Sequence, residues 1–403
     1  MARVISTASP LCLLVSAILA GCAAPVTAVT CDEAAASDSC HALDPGQPGP
    51  YPVGVTTLFV EDPERTNQAG DLRRLRVEVW YPATPAATSL PLNTYDLVDD
   101  APPELAAQVP GYTIPMPEHA AYRDAEPALA DAPYPLLAFS HGNGGLRLQN
   151  LTLMVHLASH GYVVAAPDHV DNTLWDFVLG HANGAAILLA LSHRPKDLTS
   201  VADFLDTTDG ALAGMADLEN FGVLGHSFGG GTSIGIMARR GGFLDPRVDA
   251  AMPMAPAVSI YSAFGAGPAD TQGPLFTLAG ESDATLDYAA EQRLAFDEAP
   301  GIRGLVTAHN AGHFSFSELC LLDLAPVAAA LNYDISGITQ DGCDAGFTSM
   351  ELMHLLQNHY GAAFFNTFLR ASESSANYLL PDGIPAALID EVTVETDDIK
   401  STQ

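Results

Sequence analysis

Phe221-Gly222-Val223-Leu224-Gly225-His226-Ser227-Phe228-Gly229-Gly230-Gly231 is the stretch whose reading decides the fold. A short apolar run enters Gly-x-Ser-x-Gly, and a helix-compatible segment follows over residues 232–240. This is the layout of a nucleophile elbow, where a strand turns sharply into a helix and leaves one serine at the tip. The turn holds its serine in strained torsions, and a Cβ at 225 or 229 would collide with the neighbouring strand or helix. The competing reading is a glycine-rich turn whose serine merely caps the helix.

On either side of the elbow, short buried-type strands alternate with helical patterns. Strands are expected at 135–140, 162–166, 248–254, 275–279 and 304–308. A helix ending at Gly161 carries Leu148, Leu151, Met154, Val155 and Ala158 on one face, and a long helix is expected over 350–370. Alternation of this kind argues for an α/β fold, a mostly parallel central sheet with helices on both faces. Two earlier strands, 53–60 and 75–81, suit an antiparallel hairpin at the sheet edge. Between them and the parallel strands lies a proline-rich, weakly periodic stretch, 83–135, expected as an ordered insertion or a surface wrap.

In open α/β sheets reactive groups gather at the carboxyl ends of strands. Asp283 follows the 275–279 strand, and His313 follows the 304–308 strand. Glu281 and Asp287 are the rival acids; the first lies nearer the strand and the second within an expected helix beginning near Ala284. His309 is the rival base, but Asn310 and Gly312 disfavour a helix that would pair it with His313 on a metal. Ser227, Asp283 and His313 are therefore the candidate nucleophile, acid and base, in the chain order of a hydrolase that begins from Gly-x-Ser-x-Gly. A tetrahedral intermediate also needs backbone donors. Phe228 supplies one, and Asn143, in the glycine-rich turn His141-Gly142-Asn143-Gly144-Gly145, the second. The Asp168-His169-Val170-Asp171 turn reads as structural, and Trp175 and Phe177 as acyl-pocket or core residues.

The chain has 403 residues and a formal charge of −32, from 16 Lys and Arg against 48 Asp and Glu. Such a surface repels phosphate backbones, which excludes nucleic acid as a partner. The hydrophobic fraction of 48% supplies a sizeable core. Near the N-terminus, an apolar run at 11–20 precedes Leu19-Ala20-Gly21-Cys22. The run is too short to span a bilayer and has the shape of a signal h-region. Leu-Ala-Gly-Cys resembles a bacterial lipobox, so residues 1–22 are expected as a lipoprotein-type signal. The membrane would be met only through a lipid anchor at Cys22, and the protein would be extracytoplasmic; plain secretion is the alternative. Residues 23–52 are expected as a low-complexity tether, and 53–403 as one catalytic domain. Four further cysteines, in an oxidising compartment, suggest disulfides of three possible connectivities. Cys31–Cys40 with Cys320–Cys343 is the most economical, and no Cys-x-x-Cys pair points to a metal.

Four segments carry a family likeness: Trp80-Tyr81-Pro82-Ala83, residues 139–145, residues 157–169, and Gly225-His226-Ser227-Phe228-Gly229-Gly230. Arg194-Pro195-Lys196-Asp197 adds to it. Together they resemble bacterial relatives of platelet-activating-factor acetylhydrolase and dienelactone-hydrolase-like esterases, within the α/β-hydrolase superfamily. The resemblance implies ester hydrolysis with no cofactor or metal, on a small-molecule or lipid ester with a short or modified acyl chain. It covers roughly residues 53–370. One departure stands out: the strand after the elbow, Ala250-Ala251-Met252-Pro253-Met254-Ala255, ends without the carboxylate that the acetylhydrolase carries there, so the acid moves to Asp283. A non-catalytic binding module on the same fold, or an amidase or peptidase, are the alternatives.

Overall fold

The computed structural model describes residues 44–400. The signal, Cys22 and the Cys31–Cys40 pair lie outside those residues. A ten-stranded sheet runs through the molecule in the order β10-β9-β8-β7-β6-β4-β5-β2-β1-β3. The strands are β1 (Val53–Thr66), β2 (Leu72–Pro82), β3 (Ala121–Arg123), β4 (Tyr134–Ser140), β5 (Val163–Pro167), β6 (Ala216–His226), β7 (Val248–Met254), β8 (Leu275–Gly280), β9 (Arg303–Ala308) and β10 (Val392–Asp397). From β5 through β4, β6, β7 and β8 to β9 every pairing is parallel. Apart from the first five residues of β6, their side chains are nearly all buried, because helices cover both faces and leave no solvated side for polar residues.

Seven helices position the site: α1 (Leu97–Asp100), α2 (Leu151–Ser159), α3 (Leu174–Val178), α4 (Gly184–Thr207), α5 (Phe228–Met237), α6 (Ala325–Leu331) and α7 (Met350–Leu369). On one face α2 and α7 bury Leu153, Leu157, Met353, Phe364 and Phe365. On the other, α4 and α5 bury Leu198, Val201, Leu205 and Ile234. At about 1.5–3 kcal/mol for each large apolar side chain, these two layers hold the sheet.

β1 and β2 form the expected antiparallel hairpin, with Val60 opposite Leu75. It is not the edge, since β3, contributed by the 83–135 stretch, adds in parallel outside β1. That stretch is thus ordered, and its α1 is tied to the core by Asp100, whose carboxylate receives Arg147 Nη1 and Nη2 at 2.8 and 2.7 Å. Residues 44–52, read from composition as the end of a tether, lie against α2: His156 Nε2 donates to Pro45 O, and Ser159 receives Gly49 N–H. β10 closes the far edge antiparallel to β9, an addition not foreseen from the sequence. Cys320 and Cys343 are joined in a disulfide.

Candidate active site

Ser227 follows β6 directly and precedes the first residue of α5, with φ 57° and ψ −118°. For a residue with a Cβ this is a strained conformation costing on the order of 1–3 kcal/mol, held by packing on all sides. A Cβ at 229 would stand 1.8 Å from Ser140 O, and one at 225 would stand 2.4 Å from Gly229 O. Only glycine lets the helix approach β4 this closely.

The loops after β8 and β9 bring Asp283 and His313 to the same rim. Ser227 Oγ lies 2.9 Å from His313 Nε2, and His313 Nδ1 lies 2.7 Å from Asp283 Oδ2. Asp283 can only accept, so Nδ1 carries the proton and Nε2 is left to receive the serine hydroxyl. The carboxylate is closed off from solvent and saturated: Oδ1 takes Thr285 N–H and Leu286 N–H at 2.9 and 2.7 Å, and Oδ2 also takes Gln292 Nε2 at 2.7 Å. The rivals point elsewhere. Glu281 is exposed, Asp287 caps the turn that begins at Tyr288, and His309 bonds Thr393 Oγ1 at 2.8 Å.

Asn143 and Ser227 face one cavity, and the N–H groups of Asn143 and Phe228 have no acceptor among the described residues. A run of hydrogen bonds links their loops. Gly142 N–H donates to Gln149 Oε1 (2.8 Å), Gln149 Nε2 to His226 Nδ1 (2.6 Å), and His226 Nε2 to the carbonyl of His313 (2.9 Å). Burial, with the neighbouring His313, holds His226 well below the ordinary 6.5, so it stays neutral and keeps this tautomer. His226 is the variable residue inside Gly-x-Ser-x-Gly, and nothing local marks it as the tie between elbow and base.

The Asp168-His169 turn holds more than a helix cap. His169 Nε2 lies 2.9 Å from Ser140 Oγ and its Nδ1 2.8 Å from Asp197 Oδ2. Ser140, His169 and Asp197 thus form a second Ser–His–Asp array, but all three are fully buried and none lines the cavity over Ser227. Asp197 also takes Arg73 twice and Arg65 once. It is a structural knot joining β4, β5, the hairpin and α4.

A cavity of about 330 Å³ opens over Ser227. Its walls come from α1 (Leu97), α3 (Leu174, Trp175, Phe177), and the segment around α6 (Leu324, Val327, Leu331, Ile338). Among the described residues no carboxylate, lysine or arginine lines it.

A family model described as platelet-activating factor acetylhydrolase, isoform II, matches residues 107–189. That span includes the 141–145 turn but ends before Ser227. The platelet-activating factor acetylhydrolase of Cavia porcellus is 26% identical over 237 residues, covering 48% of this chain and 52% of that protein. The enzyme of the same name from Bos taurus is 29% identical over 140 residues, covering 25% and 31%. The chain therefore spans about half the length of the first relative and a third of the second. Among solved structures it is similar to a ferulic acid esterase from Streptomyces cinnamoneus, with a TM-score of 0.58, 23% identity, and coverage of 87% of this chain and 98% of that one. At that identity the likeness is one of fold.

Proposed function

We propose that this chain, whose fold is that of an α/β-hydrolase, is a serine hydrolase that cleaves carboxylic esters through an acyl-enzyme on Ser227. One observation carries the reading: the continuous Ser227–His313–Asp283 hydrogen-bond relay beneath an apolar cavity. In the first step His313 Nε2 takes the hydroxyl proton as Ser227 Oγ attacks the ester carbonyl. Asp283 holds the ring and stabilises the imidazolium. The N–H groups of Phe228 and Asn143 receive the oxyanion, at about 3–4 kcal/mol each. Collapse expels the alcohol with the proton from His313, and water then repeats the sequence on the acyl-enzyme.

The wall chemistry supports an uncharged ester with an apolar group. With no cation among the lining residues, a phosphate on the substrate finds no partner inside. The Cys320–Cys343 disulfide supports an oxidising, extracytoplasmic location. We extend the proposal to residues 1–22 as a leader ending at Cys22 and 53–403 as the catalytic domain with its 83–135 insertion; of the expected 23–52 tether, residues 44–52 instead pack against α2. Among the described residues no helix is long and apolar enough to cross a membrane.

The test is fluorophosphonate labelling of the protein and of Ser227→Ala, beside hydrolysis of p-nitrophenyl esters of increasing acyl length and of a matching anilide. Labelling and ester turnover lost in Ser227→Ala support the reading. A folded wild type that neither labels nor turns over any ester ends it, and preference for the anilide reassigns it to amide cleavage.

A further inference from the structure

Arg194 is fully buried on α4, and its guanidinium is in ion-pair contact with none of the described carboxylates. Its partners are neutral. Nη1 donates to the carbonyl of His141 and to Ser140 Oγ at 3.3 Å; Nη2 donates to the carbonyl of Gly142 at 2.9 Å. Nε and Nη2 both reach Asn172 Oδ1, at 3.1 and 2.6 Å. The face of the guanidinium lies over the Phe228 ring, 4.4 Å from its centroid. Burial pulls the group down to about 9, which still leaves it charged at neutral pH.

The carbonyl of Gly142 belongs to the same peptide unit as the N–H of Asn143. Three donors converge on that oxygen: Arg194 Nη2, His141 Nδ1 at 2.7 Å and Gly145 N–H at 3.1 Å. His141 must donate from Nδ1, because its Nε2 accepts His169 N–H at 3.0 Å and burial keeps the ring neutral. A peptide whose oxygen is bonded to a cation cannot rotate without breaking that bond. It also becomes a stronger donor at its nitrogen, since hydrogen bonds along a chain polarise one another. The same side chain supports the ring of Phe228, whose backbone carries the other free donor.

We propose that Arg194 is a positioning residue that clamps and polarises the Gly142–Asn143 peptide, and seats Phe228, so that both N–H groups meet the oxyanion. The proposal rests on the esterase reading above. It also accounts for a buried cation with no carboxylate in ion-pair contact among the described residues, which costs free energy and needs a reason to persist.

The experiment compares wild type with Arg194→Lys and Arg194→Met for kcat and KM on p-nitrophenyl butyrate, melting temperature, and affinity for a trifluoromethyl ketone, whose serine adduct carries an oxyanion. Removing one whole oxyanion donor costs about 100–1,000-fold. Arg194→Lys keeps the charge but loses the fork, and is expected to lower kcat about 10–100-fold with KM within threefold. Ketone affinity should fall in step with kcat. Wild-type kcat in Arg194→Lys, or a fall in kcat with unchanged ketone affinity, overturns the proposal. If neither Arg194 variant folds, Asn172→Asp compared within an Asn143→Ala background decides: the alanine removes the Asn143 Oδ1 that Asn172 Nδ2 bonds at 2.9 Å, and the aspartate leaves the fork an acceptor but neutralises its charge, so kcat should fall between the two with the melting temperature kept. Unchanged kcat there overturns it. An active wild type beside a fully active Arg194→Lys removes the role of Arg194 alone, whereas a folded, inert wild type removes both readings.

Discussion

Asp341 Oδ1 accepts the backbone N–H of His313 at 2.9 Å. The same oxygen takes Ala284 N–H at 3.1 Å, and Oδ2 takes Thr285 Oγ1 at 2.6 Å. One buried carboxylate thus ties the loop of His313 to the loop of Asp283, from a third segment that neither strand contains. Asp341→Ala leaves those donors unpaired, at about 1–3 kcal/mol for each buried one. The expected outcome is a melting temperature several degrees lower and kcat reduced at least tenfold. Asp341→Asn, which keeps an acceptor, should recover part of both. Calorimetry with ester kinetics checks this; an Asp341→Ala protein with native kcat would show that His313 holds its place unaided.

Arg147 is buried and binds Asp100, Asp168 and Glu78. Asp100 ends α1, whose Leu97 lines the cavity. Truncating one partner of a buried charged cluster costs about 3–5 kcal/mol, because the other charges are left uncompensated. Arg147→Ala is expected to be destabilised by that order in denaturant melts. Asp100→Asn is milder, and should raise KM for longer acyl esters while sparing the acetate. Equal effects on both esters would disconnect α1 from the acyl wall.

Stability is expected to fall steeply in weak acid. Burial pushes His156 and His169 down to about 3, and holds His141 and His226 well below 6.5. The unfolded chain takes up protons below 6.5 while the folded chain does not, so stability is full above that pH. It is lost as pH falls from 6.5 toward 3. Each such histidine contributes up to about 1.4 kcal/mol per pH unit in that window. His156→Gln keeps a donor toward Pro45 O and should lower the protons taken up on unfolding at pH 5 by about one. A melting temperature flat between pH 7 and 5 would contradict the assignment.

Cys320 and Cys343 close a segment carrying Leu324, Val327, Leu331 and Ile338, all on the cavity wall. Opening a loop of 23 residues costs about 3 kcal/mol by chain entropy. The Cys320→Ser, Cys343→Ser double variant is expected to melt lower and to lose kcat/KM on longer acyl esters more than on acetate. A chain-length profile identical to wild type would free the wall from the disulfide.

Much of the fold was legible along the chain. The span 248–254 matches β7 residue for residue, and β4, β5, β8 and β9 shift by one residue at most at either end. The elbow helix begins four residues earlier than periodicity suggests, at Phe228, because the glycines that obscure its pattern are demanded by close contacts, Gly229 with β4 and Gly230 and Gly231 with Pro256 and Ala257. Asp287 proved to cap the helical segment that begins at Tyr288 rather than lie inside it. β10 went unread: it completes an edge offered by β9, and its own residues carry too weak an alternation to announce it.

Local sterics and periodicity are properties of neighbouring residues, so the sequence alone determined the strand–helix alternation, the glycine-flanked Ser227, and a short roster of acids and bases. Position after the strands picked Asp283 and His313 from that roster, but their meeting depended on contacts between residues far apart in the chain. Only the tertiary structure brought Asp283 within hydrogen-bonding reach of His313, set Asp341 beneath His313, and drew Arg194 against the Gly142–Asn143 peptide. Those pairings arise from how the layers pack, and no run of adjacent residues encodes them.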